Sequence, residues 1–175
     1  MIGWMPIHGD NPLAWGLMPA LRERVLDFCR KHAPEMDGDK LWEIARSHFV
    51  APSPAMLMLA WIRDGKLVGH DLVEISPCLG KKYLVVLQRA LDAGSGVTAE
   101  QVRGAMDWLE SWAGRPGAGG EGGACGWRCI ANTPRLARTY RTFYGFEGEK
   151  VYMTKDFKGS KGESKAPPEG GGNGR

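Results

Sequence analysis

The chain has 175 residues, 43% of them apolar, which suits one domain with an ordinary core and excludes a disordered chain. The net charge is +3, and the stretch from Lys158 to Arg175 carries most of it (Lys158, Lys161, Lys165 and Arg175 against Glu163 and Glu169); with no basic stripe interleaved with aromatics, nucleic acid is not an expected partner. The longest apolar run, Ala55 to Ile62, is far short of the roughly 20 residues a membrane helix needs, and the N-terminus lacks a charged start followed by an apolar core, so a cytoplasmic protein is expected, without membrane attachment.

The first stretch, Met1 to Leu17, holds Pro6, Pro12, Trp4 and Trp15. A short edge strand over Ile2–Ile7 fits, because proline is tolerated at a sheet edge. The two tryptophans read as anchors that pack this arm on the body. Pro19 to Ala33 reads as a helix: Pro19 suits a first turn, and Leu21, Val25, Phe28, Cys29 and His32 recur at helical spacing. Asp39 to Phe49 reads as a second helix capped by Asp37 or Asp39, with Leu41, Ile44, Ala45, His48 and Phe49 on one face.

Ala55 to Ser76 reads as a hairpin around Asp64-Gly65, the dipeptide favoured where two successive residues need positive φ. By alternation, Val68, His70, Leu72 and Glu74 share one side of its second strand, and Leu67, Gly69, Asp71, Val73 and Ile75 the other. Pro77 to Lys82 reads as a loop. Tyr83 to Ala90 then has the continuous apolar character of a central strand. Asp92-Ala93-Gly94-Ser95-Gly96 is a turn, and Thr98 with Gln101 forms a capping-box pattern that starts a helix. Val102, Ala105, Met106, Leu109 and Ala113 are its expected buried stripe. Such a turn gathers backbone N–H groups and a helix N-terminus at one point, which suits an anion.

Gly114 to Gly126 is glycine-rich but has no GK[ST] and precedes a strand, so it reads as a connection and not a phosphate loop. Trp127 to Ala131 is a short strand. Asn132 or Thr133 caps a further helix ending at Gly145-Phe146, and Val151 to Phe157 is a last strand. The expected division is one domain over residues 1–157 and a flexible tail over 158–175. The four cysteines, Cys29, Cys78, Cys125 and Cys129, match no zinc spacing and no CxxC; reduced thiols and no metal are expected.

This order of elements, together with ANTPRLARTYRTFYGFE (Ala131 to Glu147), resembles the GNAT superfamily of N-acyltransferases. The compact size and irregular N-terminus are also similar to small GNAT-like proteins encoded by phages, which would place the chain in the host cytoplasm or the virion. The resemblance implies an α/β (α+β) fold with a mixed, mostly antiparallel central sheet, a parallel splayed strand pair and about four helices. It implies an acyl-CoA, most simply acetyl-CoA, as co-substrate, and transfer of the acyl group to a primary amine by direct attack. Pantetheine would pair with the strand near Leu87, Gln88 and Arg89. The pyrophosphate would lie on the amides of Gly94, Ser95, Gly96 and Val97, and Asn132 is the asparagine that follows the penultimate core strand. Glu74 and then His70 are the candidate bases, and Tyr140 the candidate acid. Tyr140 lies one residue from the family's usual tyrosine position, which is Arg141 here.

Two departures mark the turn. Leu91 stands where the family has Gln or Arg, and Asp92 adds a negative charge, for which Arg89 or Arg103 is the expected compensation. These departures give an alternative reading: a GNAT fold that has lost catalysis and serves as a structural or interaction protein, for example in a phage particle. The sequence identifies neither the amine acceptor nor an assembly partner or homo-oligomer.

Overall fold

In the computed structural model the described residues are 2–7, 11–51, 54–78, 80–115, 123–130, 138, 141–142 and 152–156. They form β1 (Ile2–Ile7), α1 (Pro12–His32), α2 (Gly38–Phe49), β2 (Met56–Arg63), β3 (Lys66–Cys78), β4 (Lys81–Leu91), α3 (Ala99–Ala113), β5 (Gly126–Ile130) and β6 (Tyr152–Asp156). The strands make one six-stranded sheet in the order β1-β2-β3-β4-β5-β6. Every neighbouring pair is antiparallel except β4 and β5, which are parallel. The expected helix after β5, with Asn132 and Tyr140, lies outside the described residues apart from helical Arg138, Arg141 and Thr142. The expected tail, 158–175, lies outside them too. No helix among the described residues is long and apolar enough to cross a membrane.

Two apolar layers sandwich the sheet. On one face Val102, Ala105, Met106, Leu109 and Ala113 of α3 pack on Leu57, Leu59, Trp61, Val73, Ile75, Leu84 and Trp127. On the other, Leu21, Val25 and Cys29 of α1 and Leu41, Trp42, Ala45 and Phe49 of α2 pack on Met56, Met58, Ala60 and Leu72. β2 is therefore buried on both sides, which explains why MLMLAW is apolar without alternation.

The local chemistry accounts for the element ends. Asp64 (φ 49°) and Gly65 (φ 77°) make the hairpin turn that joins β2 to β3. Asp37 caps α2 by accepting from the N–H of Lys40. Thr98 and Gln101 form both bonds of the capping box at α3. Thr98→Ala should lower stability by about 1 kcal/mol, read as a shift in the urea midpoint at unchanged slope. Pro6 sits in β1, at the edge of the sheet, as a strand proline must. Trp4 packs on Trp108 of α3 with ring centroids 5.4 Å apart, so this tryptophan does anchor the arm.

Several expectations are corrected. Helix α1 begins at Pro12, not Pro19. Asn11 supplies the cap by accepting from the N–H of Leu13, Pro12 occupies the first turn, and Pro19 lies inside the helix, where the ladder skips one bond. Trp15 is thereby carried on α1 and is 46% exposed. Ile44 is 43% exposed and Trp42 takes its place in the buried face of α2. The Pro77–Lys82 loop is mostly strand: Pro77 pairs with Lys82 and Cys78 with Lys81, so β3 and β4 form a long hairpin. Finally, the register of β2 and β3 shifts by one residue between Trp61 and Ile62, where Val68 is the extra residue of a bulge. The shift puts Val68 with Val73 on the α3 side, and Leu67 with Leu72 on the other.

Candidate functional site

The parallel pair β4–β5 is short. Tyr83, Leu84 and Val85 pair with Gly126, Trp127 and Arg128, and the pairing stops there. β4 runs on to Leu91, whereas Cys129 and Ile130 of β5 pair with Met153 and Tyr152 of β6. Among the described residues, the pairing of β4 with β5 goes no further than Val85. A sheet that opens in this way leaves backbone N–H and C=O groups to bond something else. From Val85 to Asp92 the open edge measures on the order of 20 Å at an ordinary strand rise.

The strand also changes its twist at the opening. Leu72 pairs with Gln88, and Val73 with Val86, so Leu87 is an extra residue in β4. Leu87 and Gln88 consequently both turn toward α1. Gln88 is buried and bridges three elements: its Oε1 lies 2.9 Å from Nε2 of His70 on β3, and its Nε2 donates to Sγ of Cys29 on α1 at 3.2 Å. Arg89 points to the opposite face. There its Nε and one terminal nitrogen donate to both oxygens of buried Asp71, at 2.7 and 3.2 Å. Asp71 accepts a third bond from the Trp61 indole at 3.1 Å. Leu87, Gln88 and Arg89 thus share the open stretch of backbone, while their side chains tie it down on both faces.

At the far end of β4 the chain turns into α3. The N–H of Asp92 bonds the carbonyl of Val68, and the N–H of Ser95 bonds the carbonyl of Asp92. Gly94 and Gly96 have φ of 73° and 74°, a region that favours glycine. A Cβ on Gly96 would also come within 3.2 Å of Ile2. The N–H of Val97 has a long bond to the Ser95 hydroxyl at 3.4 Å. The N–H groups of Gly94 and Gly96 have no acceptor among the described residues. They lie just before the α3 N-terminus, whose dipole also favours negative charge.

The charge of Asp92 is cancelled, but not by the expected residues. Arg24 of α1 grips Asp92 with two bonds, at 2.8 and 2.6 Å, and reaches the carbonyl of Leu67 at 3.2 Å. This contact holds the Asp92 carboxyl below the usual carboxylate range and the Arg24 guanidinium above its own. Arg89 is committed to Asp71, and Arg103 is exposed on α3. Sequence alone could not reveal Arg24, which is 68 residues from Asp92 and belongs to a helix whose other residues explain themselves by periodicity.

The two candidate bases are on the α1/α2 face, and their surroundings differ. Glu74 pairs across the sheet with Val85, the last residue of β4 that pairs with β5. It stands level with the point where the sheet opens, and it is half-buried. Burial pushes its carboxyl up, with the nearby His48 opposing. His70 is wholly buried, and burial pushes its imidazole down, against the raising effect of its Gln88 bond. It is therefore neutral, and its Nδ1 has no partner among the described residues.

No family model and no curated protein sequence matches the chain. Solved structures do match. The Arabidopsis thaliana NAA60 structure, in complex with a bisubstrate analogue, superposes with a TM-score of 0.58 over 91% of this chain and 100% of that one, at 13% identity. A GNAT family acetyltransferase from Brucella melitensis, in complex with acetyl-CoA, gives 0.58 over 90% and 88%, at 15% identity. A mutant form of the AtaT toxin, bound to the C-terminus of the antitoxin AtaR, gives 0.52 over 89% and 92%, at 14% identity. The fold of this chain is that of the GNAT acetyltransferases: a mixed, mostly antiparallel sheet with one parallel, splayed pair.

Proposed function

We propose that the chain is an N-acyltransferase that moves an acetyl group from acetyl-CoA to a primary amine. The observation that carries this reading is the opening between β4 and β5, with the Gly94–Gly96 turn at one end and Glu74 level with the other. A thioester arm laid along the edge from Val86 to Leu91 would bond the backbone near Leu87, Gln88 and Arg89. Its pyrophosphate would reach the amides of the turn, where the α3 dipole favours negative charge. The NAA60 structure with acetyl-CoA and the Brucella enzyme support the choice of donor by their shared fold.

In the proposed reaction Glu74 accepts, directly or through water, the proton that the neutral amine nitrogen loses as it attacks. The amine nitrogen bonds to the thioester carbonyl carbon, the C–S bond breaks, and the electron pair leaves on sulfur. The CoA thiolate then takes a proton from an acid, for which Tyr140 is the candidate, and the proton held by Glu74 is returned through solvent; Asn132 is a candidate contact to the cofactor. Holding donor and amine together in the cleft supplies much of the acceleration, and backbone N–H groups of the bulge polarise the carbonyl. Glu74 is preferred to His70 because a half-buried carboxylate with a raised pKa can exchange protons with a bound amine. A fully enclosed neutral imidazole is out of reach of one.

The test is a free-thiol assay with acetyl-CoA against a panel of primary amines, including polyamines, aminoacyl compounds and peptide N-termini. At least one amine should release CoA thiol in step with formation of its N-acetyl product. Thiol release equal to the amine-free rate across the panel, with acetyl-CoA bound, would favour a binding protein over an enzyme.

A further inference from the structure

The turn that heads the open edge is held from behind by a residue that lies outside it. Arg63, the last residue of β2, donates from one guanidinium nitrogen to the carbonyl of Gly94 and to the carbonyl of Ser95, both at 3.0 Å. Neither contact follows from the hairpin, since Arg63 pairs with Ile2 and Lys66 in the sheet. In a trans peptide the N–H points opposite to the C=O. With the Ser95 carbonyl drawn to Arg63, the N–H of Gly96 must point away from it. The N–H of Gly96 has no acceptor among the described residues, whereas the N–H of Ser95 is taken by the carbonyl of Asp92. At the start of α3 the N–H groups of Thr98 and Gln101 are consumed by the capping box, so they cannot replace it.

We propose that Arg63 is a positioning residue for pyrophosphate recognition, holding the Gly94 and Ser95 carbonyls back so that the Gly96 N–H faces the anion. This inference rests on the proposed function and names how the same site recognises the diphosphate class of ligand. The turn needs such a restraint. Glycine on both sides of Ser95 leaves these peptides free to rotate. A rotated Ser95–Gly96 peptide would turn a carbonyl oxygen toward the phosphates and repel them. Arg24 complements this from the other side by neutralising Asp92. Two arginines from β2 and α1 thus prepare a turn that has Leu91 at its entry in place of a polar or cationic residue.

The test compares acetyl-CoA with S-acetylpantetheine, which has the same thioester arm and no pyrophosphate, by amide chemical-shift titration of the full chain. In the native sequence the Gly96 amide should move downfield with acetyl-CoA and stay in place with S-acetylpantetheine. Arg63→Gln should weaken acetyl-CoA about tenfold, as the loss of charge-assisted bonds implies. It should leave S-acetylpantetheine unchanged, and Arg63→Lys should restore part of the loss. Equal weakening of both ligands, or unchanged acetyl-CoA affinity, would overturn the inference while leaving the proposed function standing. If Arg63→Gln does not fold, the Gly96 amide in the native chain decides: a shift of the same size with both ligands overturns the inference. Failure of the native chain to bind acetyl-CoA at all would overturn the proposed function, and the inference with it.

Discussion

Glu74→Gln should lower kcat by roughly 100-fold or more, the usual contribution of a positioned general base. The substitution keeps the size of the side chain and removes only its ability to accept a proton. Two further readouts separate a base from a merely structural carboxylate. The first is the pH profile. Burial raises the Glu74 carboxyl, so its acid limb in kcat/KM should lie above the ordinary glutamate value of about 4.3, with activity rising as Glu74 ionises. In the variant that limb should disappear. The second is stability. A group with a raised folded pKa favours the folded state most below its unfolded pKa, and that contribution is lost as pH rises through the folded value. At pH 7 the ionised Glu74 is therefore a small burden, and Glu74→Gln should unfold at the same or slightly higher denaturant concentration. A variant that keeps its rate and pH profile would remove Glu74 from the chemistry.

Asp71→Ala should destabilise the fold by about 3–5 kcal/mol, the range for removing one member of a buried ion pair. Asp71 is 0% exposed and accepts from Arg89 and from the Trp61 indole, and the Arg89 side chain is only 16% exposed. Its loss removes both Arg89 bonds to the carboxylate and the acceptor of the Trp61 indole N–H in the layer beneath α3. On a chain of this size the melting temperature should fall on the order of 10 °C. Asp71→Asn should cost less, because the amide oxygen can still accept one of the bonds. The consequence for the site is also specific. Arg89 belongs to the open stretch of β4, so a partly stable Asp71→Asn should bind acetyl-CoA more weakly than the native chain. A change in stability below about 1 kcal/mol for the alanine variant would show that the pair is not the buried clamp described here.

Much of the fold was legible because local chemistry and the global arrangement agree. Asp64-Gly65 announced the hairpin, and Thr98 with Gln101 the start of α3. The stripe from Val102 to Ala113 is the buried stripe observed. Sequence and fold part company where a strong local signal has a competitor nearby. Pro19 looked like a helix start until Asn11 and Pro12 supplied an earlier one. Alternation along β3 failed at Val68 because one inserted residue exchanges the faces of its neighbours. The bulge at Leu87 was hidden for the same reason.

The candidate site was legible in its backbone and illegible in its electrostatics. Gly94 and Gly96 were marked by residue type. Asp92 looked like an obstacle because its partner, Arg24, comes from a distant helix. Gln88 and Arg89 read as the polar end of an apolar strand, but in the fold they are bonded to His70, Cys29 and Asp71. Pairings of this kind depend on register and on helix placement, which composition and spacing do not encode.

The most direct test of the account is a calorimetric titration of acetyl-CoA into the native chain and into Gly96→Asp. Gly96 has positive φ, and its Cβ direction leads to Ile2 at 3.2 Å and to the Arg63 guanidinium at 3.7 Å, so an aspartate there would strain the turn and draw Arg63 away from the Gly94 and Ser95 carbonyls. The native chain should bind at micromolar concentration, and the variant should bind at least about 100-fold more weakly, as the lost turn geometry implies. No heat with the native chain at high micromolar ligand, or native affinity in a folded Gly96→Asp, would contradict it.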